Sequence, residues 1–247
     1  MPQAWKTHNP QMEKFYKHKT LFNIEDNIFL DTFEDFLCNS NNYRLECSVK
    51  TDGYNIYPCR FHIYYSDDLM THLQRAILFL WNMRQQEKIN INFDILQEII
   101  TLNEHNISDI SSVVVWVDIR EDISTSRCKI WMWIWEKNSQ LFNCILQLYK
   151  KQNPNIDISG YFLTNTLLFW IDFWFNGSSR IKIYPCFKSY ELHNDTILRN
   201  ISSLFSEKII SYMMLTSQTN ITFEKWTGKR MLHFVVEANT KELLESI

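Results

Sequence analysis

The chain has 247 residues, 45% of them hydrophobic, 15% aromatic and 21% charged, with a formal net charge of -3. That balance builds a core, excludes a disordered chain, and provides no basic excess for nucleic acid. Only four glycines occur, and neither GxGxxG nor GxxxxGKS/T is present, which excludes the phosphate loops of dinucleotide and P-loop folds. The six cysteines (Cys38, Cys47, Cys59, Cys128, Cys144 and Cys186) include no CxxC pair. Most lie in apolar runs, as buried thiols of a reducing cytoplasm do. Residues 1–20 are polar and carry no signal-peptide core. The longest apolar run, 167–175, is interrupted by Asp172 and is too short to cross a bilayer. A single cytoplasmic domain, 1–247, without a membrane or nucleic-acid partner, is the expectation.

Strands are expected first at 43–50 and 56–65, joined through Asp52-Gly53, a hairpin signal. Leu69, Leu73, Ile77, Leu80 and Trp81 then fit one helical face, and a second helix is expected at 93–102. A hairpin follows at 113–120 and 128–135, across a polar 121–127 turn. Leu141, Ile145, Leu148 and Tyr149 mark another helix. The third hairpin, 170–175 with 180–187, turns at Asn176-Gly177. Ile197, Ile201, Leu204 and Phe205 give a fourth helical face, and strands at 211–216 and 231–237 give the last hairpin. This is a repeated helix–strand–strand–helix unit. The fold class expected is α+β: antiparallel hairpins in series closing into a β-barrel, helices outside. Residues 241–247 are expected to start a helix, and the expected barrel lacks its last hairpin.

In such a barrel the apolar strand face meets the helices and the polar face meets the lumen. The lumen face takes Arg44, Glu46, Ser48 and Lys50 from the first strand, and Arg60, His62 and Tyr64 from the second. The fourth strand gives Lys129, Trp131, Trp133 and Trp135; the sixth gives Arg180, Lys182 and Tyr184. Cations and rings together suit a reaction that parts an allylic cation from diphosphate. Arg60, Lys129, Arg180 and Lys182 can hold the anion. Tyr64, Trp131, Trp133 and Tyr184 can shield the cation and exclude water. Glu46 can take a proton from the acceptor. Each residue type also has an ordinary role: a strand Glu or Arg makes cross-strand pairs, and a Trp stripe fills a core. His62 and His233 are lone and read as structural, and no HxH or HExxH indicates a metal site.

Several short segments carry a resemblance: Thr32-Phe33-Glu34-Asp35-Phe36, then Tyr43-Arg44-Leu45-Glu46-Cys47-Ser48-Val49-Lys50, then Cys59-Arg60-Phe61. Val117-Asp118-Ile119-Arg120 and Ser126-Arg127-Cys128-Lys129 follow, then Ile171-Asp172-Phe173-Trp174-Phe175-Asn176-Gly177 and Arg180-Ile181-Lys182-Ile183-Tyr184. In order and spacing, from about residue 20 to the C-terminus, the series resembles the cyanobactin peptide prenyltransferases. The resemblance implies an ABBA-type barrel and a dimethylallyl or geranyl diphosphate donor, here dimethylallyl. It also implies a small ribosomal peptide acceptor, linear or cyclic, and Mg²⁺ assisting the pyrophosphate without a dedicated protein site. It makes Glu46 the general base, Arg60 and Lys129 pyrophosphate ligands, Tyr184 a shielding ring, and Tyr212, on the seventh strand, a limit on donor length. Trp131 and Trp133 stand where further polar residues are expected, and Lys182 where an acid is common. The alternatives are an inactive relative that binds peptide, or an ABBA enzyme acting on a small aromatic molecule. A monomer or weak dimer is expected.

Overall fold

The computed structural model describes residues 9–52, 55–65, 67–102, 110–134, 140–156, 158, 161, 167–223 and 230–235. Two helices not anticipated from the sequence precede the first hairpin. The side chain of Asn9 accepts the Gln11 N–H at 2.9 Å and starts α1 (Pro10–Leu21), with Pro10 in the first turn. Asn27 accepts from Phe29 and Leu30, each at 3.1 Å, and starts α2 (Ile28–Cys38). Both helices cover the apolar face of the first hairpin. The Phe15 and Phe33 rings lie 5.0 and 5.5 Å from that of Phe61, and each such side chain contributes about 1.5–3 kcal/mol when fully buried.

Strands β1 (Tyr43–Asp52) and β2 (Asn55–Tyr65) pair antiparallel, with a register shift between Ser48 and Lys50 that marks a bulge. Gly53, in the expected turn, lies outside the described residues. Along β2, Cys59, Phe61, Ile63 and Tyr65 are buried while Arg60, His62 and Tyr64 are half-buried, the alternation expected. Helix α3 (Leu69–Arg84) buries His72, Leu73, Ala76, Phe79, Leu80 and Met83. Trp81 is not on that face and is 50% exposed. It follows Leu80 by one residue, about 100° round the helix and off the apolar stripe.

Helix α4 (Asp94–Leu102), β3 (Ile110–Asp118), β4 (Arg127–Ile134), α5 (Gln140–Gln152), β5 (Leu167–Trp174) and β6 (Ser179–Lys188) follow, close to the expected positions. Trp135 lies outside the described residues. At the β5–β6 turn Gly177 has φ +87°, and a Cβ there would stand 2.5 Å from Asn90 Nδ2. Only glycine meets both conditions.

The last part of the chain differs from expectation. After α6 (Asp195–Ser202), residues 207–215 form α7 (Glu207–Leu215) rather than a strand. The strands are β7 (Gln218–Phe223) and β8 (Arg230–Val235). A short apolar run such as Ile209–Leu215 reads as strand or helix alike. Packing decides: Ile210 and Met213, three residues apart, are buried with Phe187, Leu192, Ile201 and Ile221. Tyr212 is therefore a helical residue, its ring 6.4 Å from that of Phe234, and no seventh-strand face carries it. Residues 236–247 lie outside the described residues.

The described chain is α+β. Its eight strands are ordered β1-β2-β3-β4-β5-β6-β7-β8 in one sheet. The chain divides into two compact units. The first contains 1–101, 110–132 and 170–180, with its core around Phe15, Phe33, Phe61 and Phe79. The second contains 102–109, 133–169 and 181–247, with its core around Phe187, Ile201 and Met213. Among the described residues no helix is long and apolar enough to cross a membrane.

Candidate functional site

In the first unit Glu46, Arg60 and Tyr64 stand on one face of β1–β2, while Lys129 and Trp131 come from β4 and Arg180 from β6. Register places Glu46 opposite His62 and His62 opposite Trp116; one row on, Ser48 lies opposite Arg60 and Arg60 opposite Asp118. Residues directly opposite in an antiparallel pair share a face, so each row is a set of neighbours.

Two buried carboxylates organise the charges. Asp118, 1% exposed, takes the Arg120 fork at 2.9 Å (Nε to Oδ1) and 3.1 Å (Nη2 to Oδ2). Arg127 Nη2 reaches its Oδ2 at 3.4 Å, and Arg60 Nε stands 3.7 Å from Oδ1. Asp172, fully buried, receives Arg180 at 3.1 Å, Lys129 at 3.5 Å and the other arm of Arg127 at 3.9 Å. Five cations thus surround two carboxylates, leaving three positive charges in excess. Like charges held together in a low dielectric repel strongly, and the carboxylates offset that repulsion.

Arg60 differs from the other cations. Its side chain is 13% exposed, yet among the described residues its guanidinium makes no hydrogen bond, and its buried Nε has only the ion-pair contact with Asp118. Trp116 covers one face of it at 4.5 Å. Burial first, then the charges of Arg120 and Arg127, push its pKa down against the pull of Asp118. A buried fork with unmet donors is made for an oxyanion.

Rings surround the second basic residue. Lys129 Nζ lies 3.6 Å from the Trp116 ring centre and 5.0 Å from that of Trp170. Trp131 stacks on Trp170 at 4.8 Å and meets Trp116 edge-on at 5.6 Å. His62 joins them, 4.4 Å from Trp116. Burial and then the Arg60 charge lower the His62 pKa to about 4, so its ring is neutral at pH 7.

Glu46 sits at the open side of this face, with 37% of its side chain exposed. It accepts from Arg44 and, at 3.0 Å, from the Tyr64 hydroxyl, while His62 Nδ1 stands 3.9 Å away. Burial works against its ionisation, but the bonds from Arg44 and Tyr64 and the charge of Arg44 hold its carboxyl below the ordinary value. Burial and the Glu46 charge push the Tyr64 hydroxyl up. Glu46 is therefore ionised at neutral pH and able to receive a proton. Beside the cation cluster a groove of about 1180 Å³ is lined by Tyr57, Asp118, Arg120, Arg127 and Trp174, among others.

Lys182, Trp133, Tyr184 and Tyr212 belong to the second unit. There Tyr184 is buried with its ring 5.9 Å from that of His233, whose pKa is lowered by burial and then by the Lys182 charge. The sequence missed Trp116, Asp118, Arg120, Arg127, Trp170 and Asp172 as functional candidates. One signal was available: an Asp closing each of two apolar strands, 113–118 and 167–172, with an Arg eight or nine residues later across the turn. Among the described residues no group of three His, Cys, Asp or Glu side chains is placed to hold a metal ion. Asp118 and Asp172 face guanidinium and ammonium groups, so this donor set does not suit a divalent ion.

Residues 10–246 match a family of unknown function, DUF5838. The chain belongs to that family. No curated protein matches it.

Proposed function

Starting from that family and this site, we propose that the protein transfers an isoprenyl group, dimethylallyl first, from its diphosphate to a residue of a small peptide. The Arg60 guanidinium carries the reading: a buried fork without a hydrogen bond among the described residues, inside a cluster with excess positive charge. In the proposed reaction Arg60 takes the diphosphate as the donor C1–O bond breaks and the anion leaves with the electron pair, and Lys129 and Arg180, held on Asp172, add to the positive charge of the cluster. Trp116, Trp131 and Trp170, with Tyr64, shield the allylic cation from water. A nucleophilic atom of the peptide bonds to the isoprenyl carbon, and its proton passes to Glu46. The groove lined by Tyr57, Arg120 and Trp174 admits the peptide. Hairpins alternating with helices in chain order support an ABBA-type barrel as the frame.

A second reading, a relative that binds peptide without transferring, draws on Glu46, whose carboxylate is already engaged by Arg44 and Tyr64. Incubation with dimethylallyl and geranyl diphosphate and a panel of linear and cyclic peptides, read by mass spectrometry, separates the two. A mass gain of one isoprenyl group on a peptide supports transfer. Peptide binding without a mass gain supports the second reading. Gain only on small aromatic molecules included in the panel replaces the peptide acceptor.

A further inference from the structure

We infer that Asp118 and Asp172 are positioning residues for the anion: each occupies chosen cations and thereby leaves Arg60 open to a diphosphate. This rests on the donor reading above. The geometry distinguishes the cations by their engagement with the two acids. Asp118 accepts a hydrogen bond from Arg120 (Nη2 to Oδ2, 3.1 Å) and holds its Nε in ion-pair contact at 2.9 Å, while its nearest approach to Arg60 is 3.7 Å, beyond hydrogen-bond reach. Arg127 spans both acids, 3.4 Å to Asp118 and 3.9 Å to Asp172, so the two centres are tied together. Asp172 likewise holds Arg180 at 3.1 Å and Lys129 at 3.5 Å. Both acids lie within β-strands and are 1% and 0% exposed, which fixes their positions.

A buried carboxylate next to an anion site should weaken anion binding by simple Coulomb repulsion. If Asp118 acted only through its charge, removing that charge would tighten diphosphate binding. If it positions cations, removing it releases Arg120 and Arg127 to crowd and repel Arg60, and binding weakens. The two roles predict opposite signs, so one titration separates them.

The test is calorimetric titration of the full chain with inorganic diphosphate. Asp118→Asn and Asp172→Asn are expected to bind about ten- to a hundredfold more weakly than wild type, the scale of a lost charge-assisted contact. Asp118→Glu is expected to recover part of the loss. In transfer assays the donor KM should rise. Equal or tighter diphosphate binding by the Asn variants overturns the inference while leaving the donor reading intact. A wild type that binds no diphosphate removes the donor reading, and this inference with it. A second measurement needs no substitution: side-chain Nε–H resonances of arginine followed by NMR during the same titration. Diphosphate should shift Arg60 and leave Arg120, already held by Asp118, in place. Movement of Arg120 off Asp118 onto the anion overturns the inference even if the Asn variants fail to fold.

Discussion

The carboxylates of Asp118 and Glu46 lie one row apart on the same face of β1–β2–β3, and their surroundings give them different chemistry. Asp118 is 1% exposed and committed to guanidinium groups at fixed distances. Glu46 keeps 37% of its side chain in solvent, tied by Arg44 and by a tyrosine hydroxyl. A buried acid among cations is a strut, because it costs too much to lose its partners. An exposed acid with modest ties can exchange a proton with something that arrives. The same functional group thus serves structure in one place and chemistry in the other, and depth of burial makes the difference.

The largest effect expected from this contrast is on turnover. Glu46→Gln should lower transfer about 10²–10⁴-fold, the range for a lost general base, with donor affinity unchanged. Unchanged turnover would return Glu46 to a surface ion pair. Next comes stability, compared side by side by urea unfolding. Asp118→Ala should cost about 3–5 kcal/mol, since it leaves buried cations uncompensated. Glu46→Ala should cost under about 1 kcal/mol, as an exposed pair does. Equal losses would erase the distinction between strut and base.

A pH series sharpens the comparison further. The His62 pKa is about 4 in the folded protein against an ordinary 6.5. Between those values the unfolded chain binds the extra proton, so stability present above pH 6.5 is lost as pH falls through about 4. Unfolding midpoints at pH 7, 6 and 5 should decline, and less so in His62→Phe. A flat wild-type profile would mean that His62 is solvated rather than packed on Trp116. The smallest effect is expected from Arg44→Ala, a change of under about 1 kcal/mol in stability. By removing a bond that holds the Glu46 carboxyl down, it should move the acid limb of the transfer pH profile upward. A limb that stays put would show that the base observed in catalysis is another group.

The sequence alone determined the first three hairpins and the faces of their strands. Alternation is local: Arg60, His62 and Tyr64 must share a side once 56–65 is extended, and Asn176-Gly177 is a turn signal that Gly177 meets with its positive φ. It also brought Glu46, Arg60 and Lys129 into view by residue type. It did not determine α7, where Ile209–Leu215 suits either period and only the burial of Ile210 and Met213 chose the helix, carrying Tyr212 with it. Nor did it show α1 and α2 laid over Phe61, or that Trp81 faces out. Most of all, it could not show that Asp118 and Asp172 stand at the centre of the cations. A carboxylate within an apolar strand is a neutral fact until the register of β2 on β3 sets Arg60 opposite Asp118, and that pairing joins residues 58 positions apart. Long-range register and burial are properties of the folded chain, and the electrostatics of this site follow from both.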